Sequence, residues 1–275
     1  MNLHRPRKHF GQNFLHDRNI IAKIINAAAP RPTDHFVEIG PGHGALTRPL
    51  LEQVESLDVI EIDYDLAAAI EDSIDDPRLT VHRADALKFD FATIARGAES
   101  LRLIGNLPYN ISTPLLFHFL DHSRLFRDAH VMLQKEVVER MSAMPGNKTY
   151  GRLSVSLAAR CRVESLFIVR PGSFTPAPRV DSAVARLTPD ADRRACMVDE
   201  NSFDKIVAKA FNQRRKRLAN ALRDMVTEAQ IESVGIDPGA RAETLDVEAY
   251  IRLGNIFAES GRMPEDSGRT DHPPG

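Results

Sequence analysis

Cysteine is scarce. Cys161 and Cys196 are the only two in 275 residues, far apart and without a metal-ligand partner pattern. That argues against a disulfide framework or a zinc site and places the chain in a reducing cytoplasm. Long apolar runs are also missing, so no stretch reads as a membrane span. The N-terminus, Met1 to Phe10, is basic but has no apolar segment of the kind a signal peptide needs. No internal repeat or low-complexity tract is present, which excludes a solenoid. Excess charge is lacking too: the net is −2, which by itself does not mark a polyanion binder.

What is present is 43% hydrophobic and 27% charged residues, a composition that supports a substantial core. The length fits one large and one small domain. The small net charge hides a strongly uneven distribution. Between Asn201 and Arg223, seven basic residues face a single acid, Asp204. From Asp224 onward, eleven acids face four bases. The first 23 residues carry five basic side chains against Asp17.

Hydrophobic periodicity outlines an α/β chain. An ordered arm carrying Phe10, Phe14 and Leu15 precedes a helix over 18–28, capped by Asp17. Strands follow at 35–39, 57–62, 79–82, 101–104 and 129–133. Helices are expected over 45–54, 65–74, 113–120, 135–141 and 153–161. Two further strands, 166–169 and 183–187, are joined by a proline-rich stretch that cannot be a crossover helix, so they read as an antiparallel pair on one edge. Five parallel strands with a terminal antiparallel hairpin is the sheet of Rossmann-like class I S-adenosylmethionine methyltransferases. After Pro189 strand patterns stop. The expected layout is a catalytic domain with its N-terminal arm over 1–189, a small all-α C-terminal domain over 190–259, and a disordered tail over 260–275.

Asn106-Leu107-Pro108-Tyr109 stands where the fourth strand ends. The Asn106 amide can accept a hydrogen bond from an amine, Leu107 is biased to extended backbone by Pro108, and Tyr109 offers a flat face for a base. The same four residues also suit an ordinary strand-to-turn junction. Gly40-Pro41-Gly42-His43-Gly44 lies between a strand and a helix, as a nucleotide-cofactor turn does. Glu61, about 20 residues further on, is placed to accept from a ribose diol. This spacing does not separate NAD from S-adenosylmethionine. Asp85 and Asn106, at the ends of the third and fourth strands, tip it toward S-adenosylmethionine. No histidine stands convincingly where a dehydrogenase would want a proton donor.

With these residues in hand, the chain resembles the ribosomal RNA adenine dimethyltransferases, in particular the KsgA type acting on small-subunit RNA. The matching stretches are Gly11–Leu15, Val37–Gly42, Asn106–Ser112, Gln134–Val137, Tyr150–Ser154, Phe174–Ser182 and Phe211–Lys216. The resemblance implies that Asn13, Leu15, Gly40, Glu61, Asp85 and Asn106 hold S-adenosylmethionine, with no metal. It implies a target-base pocket made by Asn106, Leu107, Pro108, Tyr109 and Phe174. It implies N6,N6-dimethylation of two adjacent adenosines near the 3′ end of 16S rRNA, within the immature 30S subunit, by a cytoplasmic monomer without a membrane partner. Taken without the family, Phe174 serves equally as a loop anchor covering the sheet edge.

Arg214, Arg215, Lys216 and Arg217 are the expected RNA-backbone contacts, although a charge run on a helix is commonly a solvated face. Three other readings stay open: a large-subunit adenine methyltransferase of the antibiotic-resistance type, an assembly factor whose binding role dominates, and a small-molecule methyltransferase.

Overall fold

The computed structural model describes residues 12–260. The basic stretch up to Gly11, with Phe10, and the polar tail after Ser260 lie outside them. The chain forms two compact units. The first runs to Met144 and resumes over Thr149–Asp192; the second takes Pro145–Lys148 and the residues from Arg193 onward.

In the first unit the elements run β1 (Phe14–Leu15), α1 (Arg18–Ala28), β2 (His35–Ile39), α2 (Thr47–Leu51), β3 (Ser56–Glu61), α3 (Tyr64–Ser73), β4 (Leu79–Arg83), β5 (Leu101–Asn106), α4 (Ser112–Asp121), β6 (Phe126–Gln134), α5 (Lys135–Met141), α6 (Arg152–Ala158), β7 (Cys161–Val169), β8 (Phe174–Thr175) and β9 (Ser182–Pro189). The main sheet has the order β4-β3-β2-β5-β6-β9-β7. β2 to β6 are parallel, and β9 runs antiparallel to both β6 and β7. The expected parallel sheet with an antiparallel pair on one edge is therefore what forms.

The sheet is covered on both faces because side chains alternate along each strand. Val37, Ile39, Leu103, Val131 and Leu133 pack on one side with Leu116 and Phe119 of α4. Phe36, Leu57, Val59, Ile104 and Met132 pack on the other with Ile24 and Ile25 of α1. Asp17 caps α1 as its position predicts, accepting from the Asn19 and Ile20 N–H groups.

Two local expectations needed correction, and one pairing was not foreseen. The helix expected over 45–54 shrinks to α2; its late start follows from Pro49, which has no N–H to donate to the Ala45 carbonyl. Cys161, expected at a helix end, opens β7, which is far longer than 166–169. Its outer half alternates Arg162 and Glu164 with partly buried residues, the pattern of an edge strand. The pairing of β1 with β8 had no sequence signal: two residues on each side, Phe14↔Thr175 and Leu15↔Phe174, are joined across most of the unit.

The second unit contains α8 (Glu200–Asn212), α9 (Leu218–Leu222), α10 (Glu228–Ser233) and α11 (Val247–Ser260), with α7 (Ala191–Ala195) at the boundary. α8 and α11 pack closely: a Cβ on Gly254 would lie 2.8 Å from the Phe203 backbone. Arg214 to Arg217 are not on a helix. They form the link between α8 and α9, and part of the charge excess of the 201–223 stretch is neutralised. Arg214 pairs with Glu243 and donates to the Lys148 carbonyl at 2.9 Å, and Lys209 pairs with Asp224 at 3.1 Å. Among the described residues, no helix is long and apolar enough to cross a membrane.

One buried ion network ties the first unit together. Arg102 on β5 donates to Asp34 at 2.7 Å, to Asp128 of β6 at 2.7 and 2.9 Å, and to the Ala28 carbonyl that ends α1 at 2.6 Å. Its guanidinium also lies over the Phe36 ring. Burial opposes ionisation of Asp34, yet Arg102 and Arg127 hold its carboxyl below the usual range. Removing the cation would leave two carboxylates without their main partner. Arg102→Met is expected to destabilise the protein by about 3–5 kcal/mol, read as a lower urea midpoint at unchanged slope. A loss below about 1 kcal/mol would show that the network adds nothing beyond packing.

Candidate active site

A cavity of about 200 Å³ opens at the carboxyl ends of the parallel strands. All its lining residues belong to the first unit. In open α/β sheets this edge is where ligands bind, because the loops there diverge. After β2 the chain makes a left-handed turn, with φ of 69° at Gly40, 56° at Gly42 and 79° at Gly44. Gly42 has a further reason to be glycine: a Cβ there would sit 2.9 Å from the Phe14 ring. That ring also lies 4.3 Å from the His43 ring, so the arm is pressed onto the turn.

Asn106 is the last residue of β5. Its side-chain nitrogen donates to the Asn13 carbonyl at 2.8 Å. An amide bound in that sense has its oxygen turned the other way. Asn106 Oδ1 is buried and accepts no hydrogen bond from the described residues. Leu107 is buried, and its N–H donates to the Met132 carbonyl at 3.1 Å. Tyr109 is held at both ends. Its carbonyl accepts from Ser112 Oγ at 3.1 Å, and its hydroxyl lies 2.5 Å from Ser182 Oγ. Burial raises its phenol pKa.

Glu61 ends β3 and is 5% exposed. Its two carboxylate oxygens accept the Asp63 N–H at 3.0 Å and the Gly42 N–H at 3.4 Å. A carboxylate offers about four lone-pair sites, which leaves room to bind a diol. Burial pushes its pKa up. Asp85 also lines the cavity, steadied by the Leu87 N–H at 3.0 Å.

The cavity thus brings together Asn13, Leu15, Gly40, Glu61, Asp85, Asn106, Leu107, Pro108 and Tyr109. Phe174 is not brought in. It is 3% exposed, packs in the core with Leu15 and Val184, and pairs through its backbone with Leu15. Arg214 to Arg217 belong to the second unit. Sequence reasoning missed Glu38, which lines the cavity and accepts from Thr47 Oγ1 at 2.7 Å. A signal for it existed: a carboxylate inside the apolar strand Val37-Glu38-Ile39 is rare without a purpose. Gln12, His43, Ile62 and Leu87 had no such mark.

A model of the family described as ribosomal RNA adenine dimethylase matches residues 3–259. The chain belongs to that family. It is 53% identical over 258 residues to ribosomal RNA small subunit methyltransferase A of Aromatoleum aromaticum, covering 94% of this chain and 96% of that one. To the protein of that name from Pseudomonas aeruginosa it is 50% identical over 257 residues, covering 93% and 96%. Among solved structures, the chain is similar to a dimethyladenosine transferase from Plasmodium falciparum, with TM-score 0.76 and 26% identity over 90% of this chain and 98% of that one. It is also similar to the 23S rRNA methyltransferase ErmE, with TM-score 0.66 and 25% identity over 90% and 100%. The likenesses run through both units of this dimethylase-family chain.

In this family member, burial raises the Glu38 pKa from its ordinary 4.5 to about 8, with the charge of Glu61 adding to the effect. The folded protein therefore keeps a proton that the unfolded chain has lost, and stability falls as pH rises from about 4.5 to about 8. Glu38→Gln can still accept from Thr47 but cannot ionise. Its unfolding free energy from urea titration is expected to exceed that of the unaltered protein by more than about 1 kcal/mol near pH 8, the gap closing toward pH 4.5. Parallel pH courses for the two proteins would contradict the assignment.

Proposed function

We propose that the chain transfers methyl groups from S-adenosylmethionine to N6 of two adjacent adenosines near the 3′ end of 16S rRNA in the immature small subunit, giving N6,N6-dimethyladenosine. The observation that carries the reading is the buried Asn106 Oδ1, an acceptor with its amide nitrogen already pinned. A buried acceptor left without a donor is expensive, and an exocyclic amine supplies that donor. The family membership and the relatives named as small-subunit methyltransferases support the same substrate.

The residues fit the cofactor. Glu61 has free lone pairs for a ribose diol, Asp85 stands further along the same edge, and the glycine turn lets a ligand approach backbone. S-adenosylmethionine supplies a methyl group on a sulfonium, ready for in-line transfer. The adenine N6 lone pair is delocalised into the ring and reacts poorly. Asn106 Oδ1 and the Leu107 carbonyl accept the amine hydrogens, so fixed dipoles stabilise the positive charge that develops on nitrogen. Alignment supplies much of the remainder. The Tyr109 ring stacks on the extruded base, offsetting an unstacking cost of a few kcal/mol. Phe174, buried as it is, acts through the β1–β8 pairing that seats Leu15 at the cavity wall.

Arg215, Lys216 and Arg217 are exposed and contact the RNA backbone, while Arg214 is engaged by Glu243. The large-subunit reading draws on the likeness to ErmE, but that likeness is at 25% identity against about half for the small-subunit relatives.

The direct test is incubation with labelled S-adenosylmethionine and undermethylated small subunits, followed by nucleoside analysis. Absence of N6,N6-dimethyladenosine refutes the proposal. Asn106→Ala is expected to lower kcat at least about 100-fold. Glu61→Ala is expected to raise KM for the cofactor while particle binding persists. Neutralising Arg215 and Lys216 together is expected to weaken particle binding and flatten its dependence on log salt by about two contacts' worth. An unchanged salt slope would remove these residues from the interface.

A further inference from the structure

Ser182 closes the Phe174–Ser182 stretch, and nothing in the proposed reaction uses it. Its hydroxyl nevertheless lies 2.5 Å from that of Tyr109, 73 residues away. We infer that Ser182 is a positioning residue for methyl transfer: its hydroxyl tethers the Tyr109 phenol and so fixes where that ring stands against the target base. The inference rests on the reading above, in which Tyr109 receives an adenine.

The topology makes Ser182 a rigid anchor. β9 runs antiparallel to β6, so it begins at the edge where the parallel strands end. Ser182 pairs with Gln134 of β6 on one side and with Val169 of β7 on the other. It is fully buried. The preceding residue is fixed as well, since the Asp181 carbonyl accepts the Lys135 N–H at 3.0 Å and the Asp181 carboxylate pairs with Arg170 at 2.8 Å. A serine in this setting has little freedom beyond one torsion.

Tyr109 needs such an anchor. It lies beyond the last ladder residue of β5, in a loop at the cavity wall. Its ring turns about two torsions; the hydroxyl lies on the axis of the second, so a bond there restrains the first and fixes where the ring stands. Ser112 holds the backbone end and Ser182 the hydroxyl end, so the ring is fixed from both sides. Burial keeps the phenol neutral through the physiological range, which preserves the bond. A base sliding out of its stack then meets a face already in place, and no ordering of the ring is required at that moment.

Two variants remove the tether from opposite sides. Tyr109→Phe keeps the ring and loses its hydroxyl; Ser182→Ala keeps the ring and its hydroxyl but loses the anchor. With S-adenosylmethionine and undermethylated small subunits, each is expected to lower kcat about five- to tenfold. KM for the cofactor should stay unchanged, and the double variant should be no slower than either single one. Losses that multiply in the double variant overturn the inference. So does full kcat in Tyr109→Phe, or a rise in cofactor KM accompanying the loss in Ser182→Ala. Those outcomes leave methyl transfer itself standing. Failure of the unaltered protein to form any N6-methylated adenosine removes the underlying reading instead.

Discussion

At the carboxyl edge of the sheet, β5 comes so close to β2 that a Cβ on residue 105 would sit 2.6 Å from the Ile39 carbonyl. Only glycine allows that approach. It brings the last residue of β5, Asn106, beside the turn that follows β2. The Asn106 carbonyl lies 3.9 Å from where a Cβ on Gly40 would be. The rest of the site depends on this contact. Were β5 further away, the amide and the glycine turn would border separate clefts.

The close approach also places Asn106 under the arm. The bond from its amide nitrogen to the Asn13 carbonyl does two things at once. It holds the arm against the cavity, and it leaves Oδ1 buried without a donor among the described residues. Both arm strand residues are then seated by β8, through Leu15↔Phe174 and Phe14↔Thr175. The Ser173 hydroxyl adds a bond to Asp17, the cap of α1, at 3.0 Å. Thus a helix cap, a two-residue sheet and the Asn106 amide form one connected structure. Glu61 and Glu38 also line the cavity.

Much of this was legible in the residue order. The alternation of apolar runs with helical periods set out five parallel strands, and the proline-rich link between the last two demanded an antiparallel pair. The glycine turn, Glu61, Asp85 and Asn106 were recognisable because each follows a strand, and the ends of parallel strands converge. Glu38 was legible too, as a carboxylate in an apolar strand, but its position inside the strand drew attention away from the cavity. Phe174 shows the opposite case. Its neighbourhood in the motif pointed to the base pocket, whereas its backbone pairing with Leu15 turns the ring into the core. The basic link at Arg214–Arg217 was visible as a charge run, but its partial neutralisation was not, since Glu243 and Lys148 are remote in the chain.

The sequence alone thus determined the order of elements, the class of sheet and the residues at strand ends, because periodicity and turn chemistry act over a few positions and follow directly from side-chain type. Only the tertiary structure decided which groups act together. The pinning of the Asn106 amide by Asn13, the seating of the arm by β8 and the tether from Ser182 to Tyr109 are bonds between residues 73 to 161 apart. Such contacts leave no periodic trace, because they depend on where the folded strands end and not on what stands next in the chain.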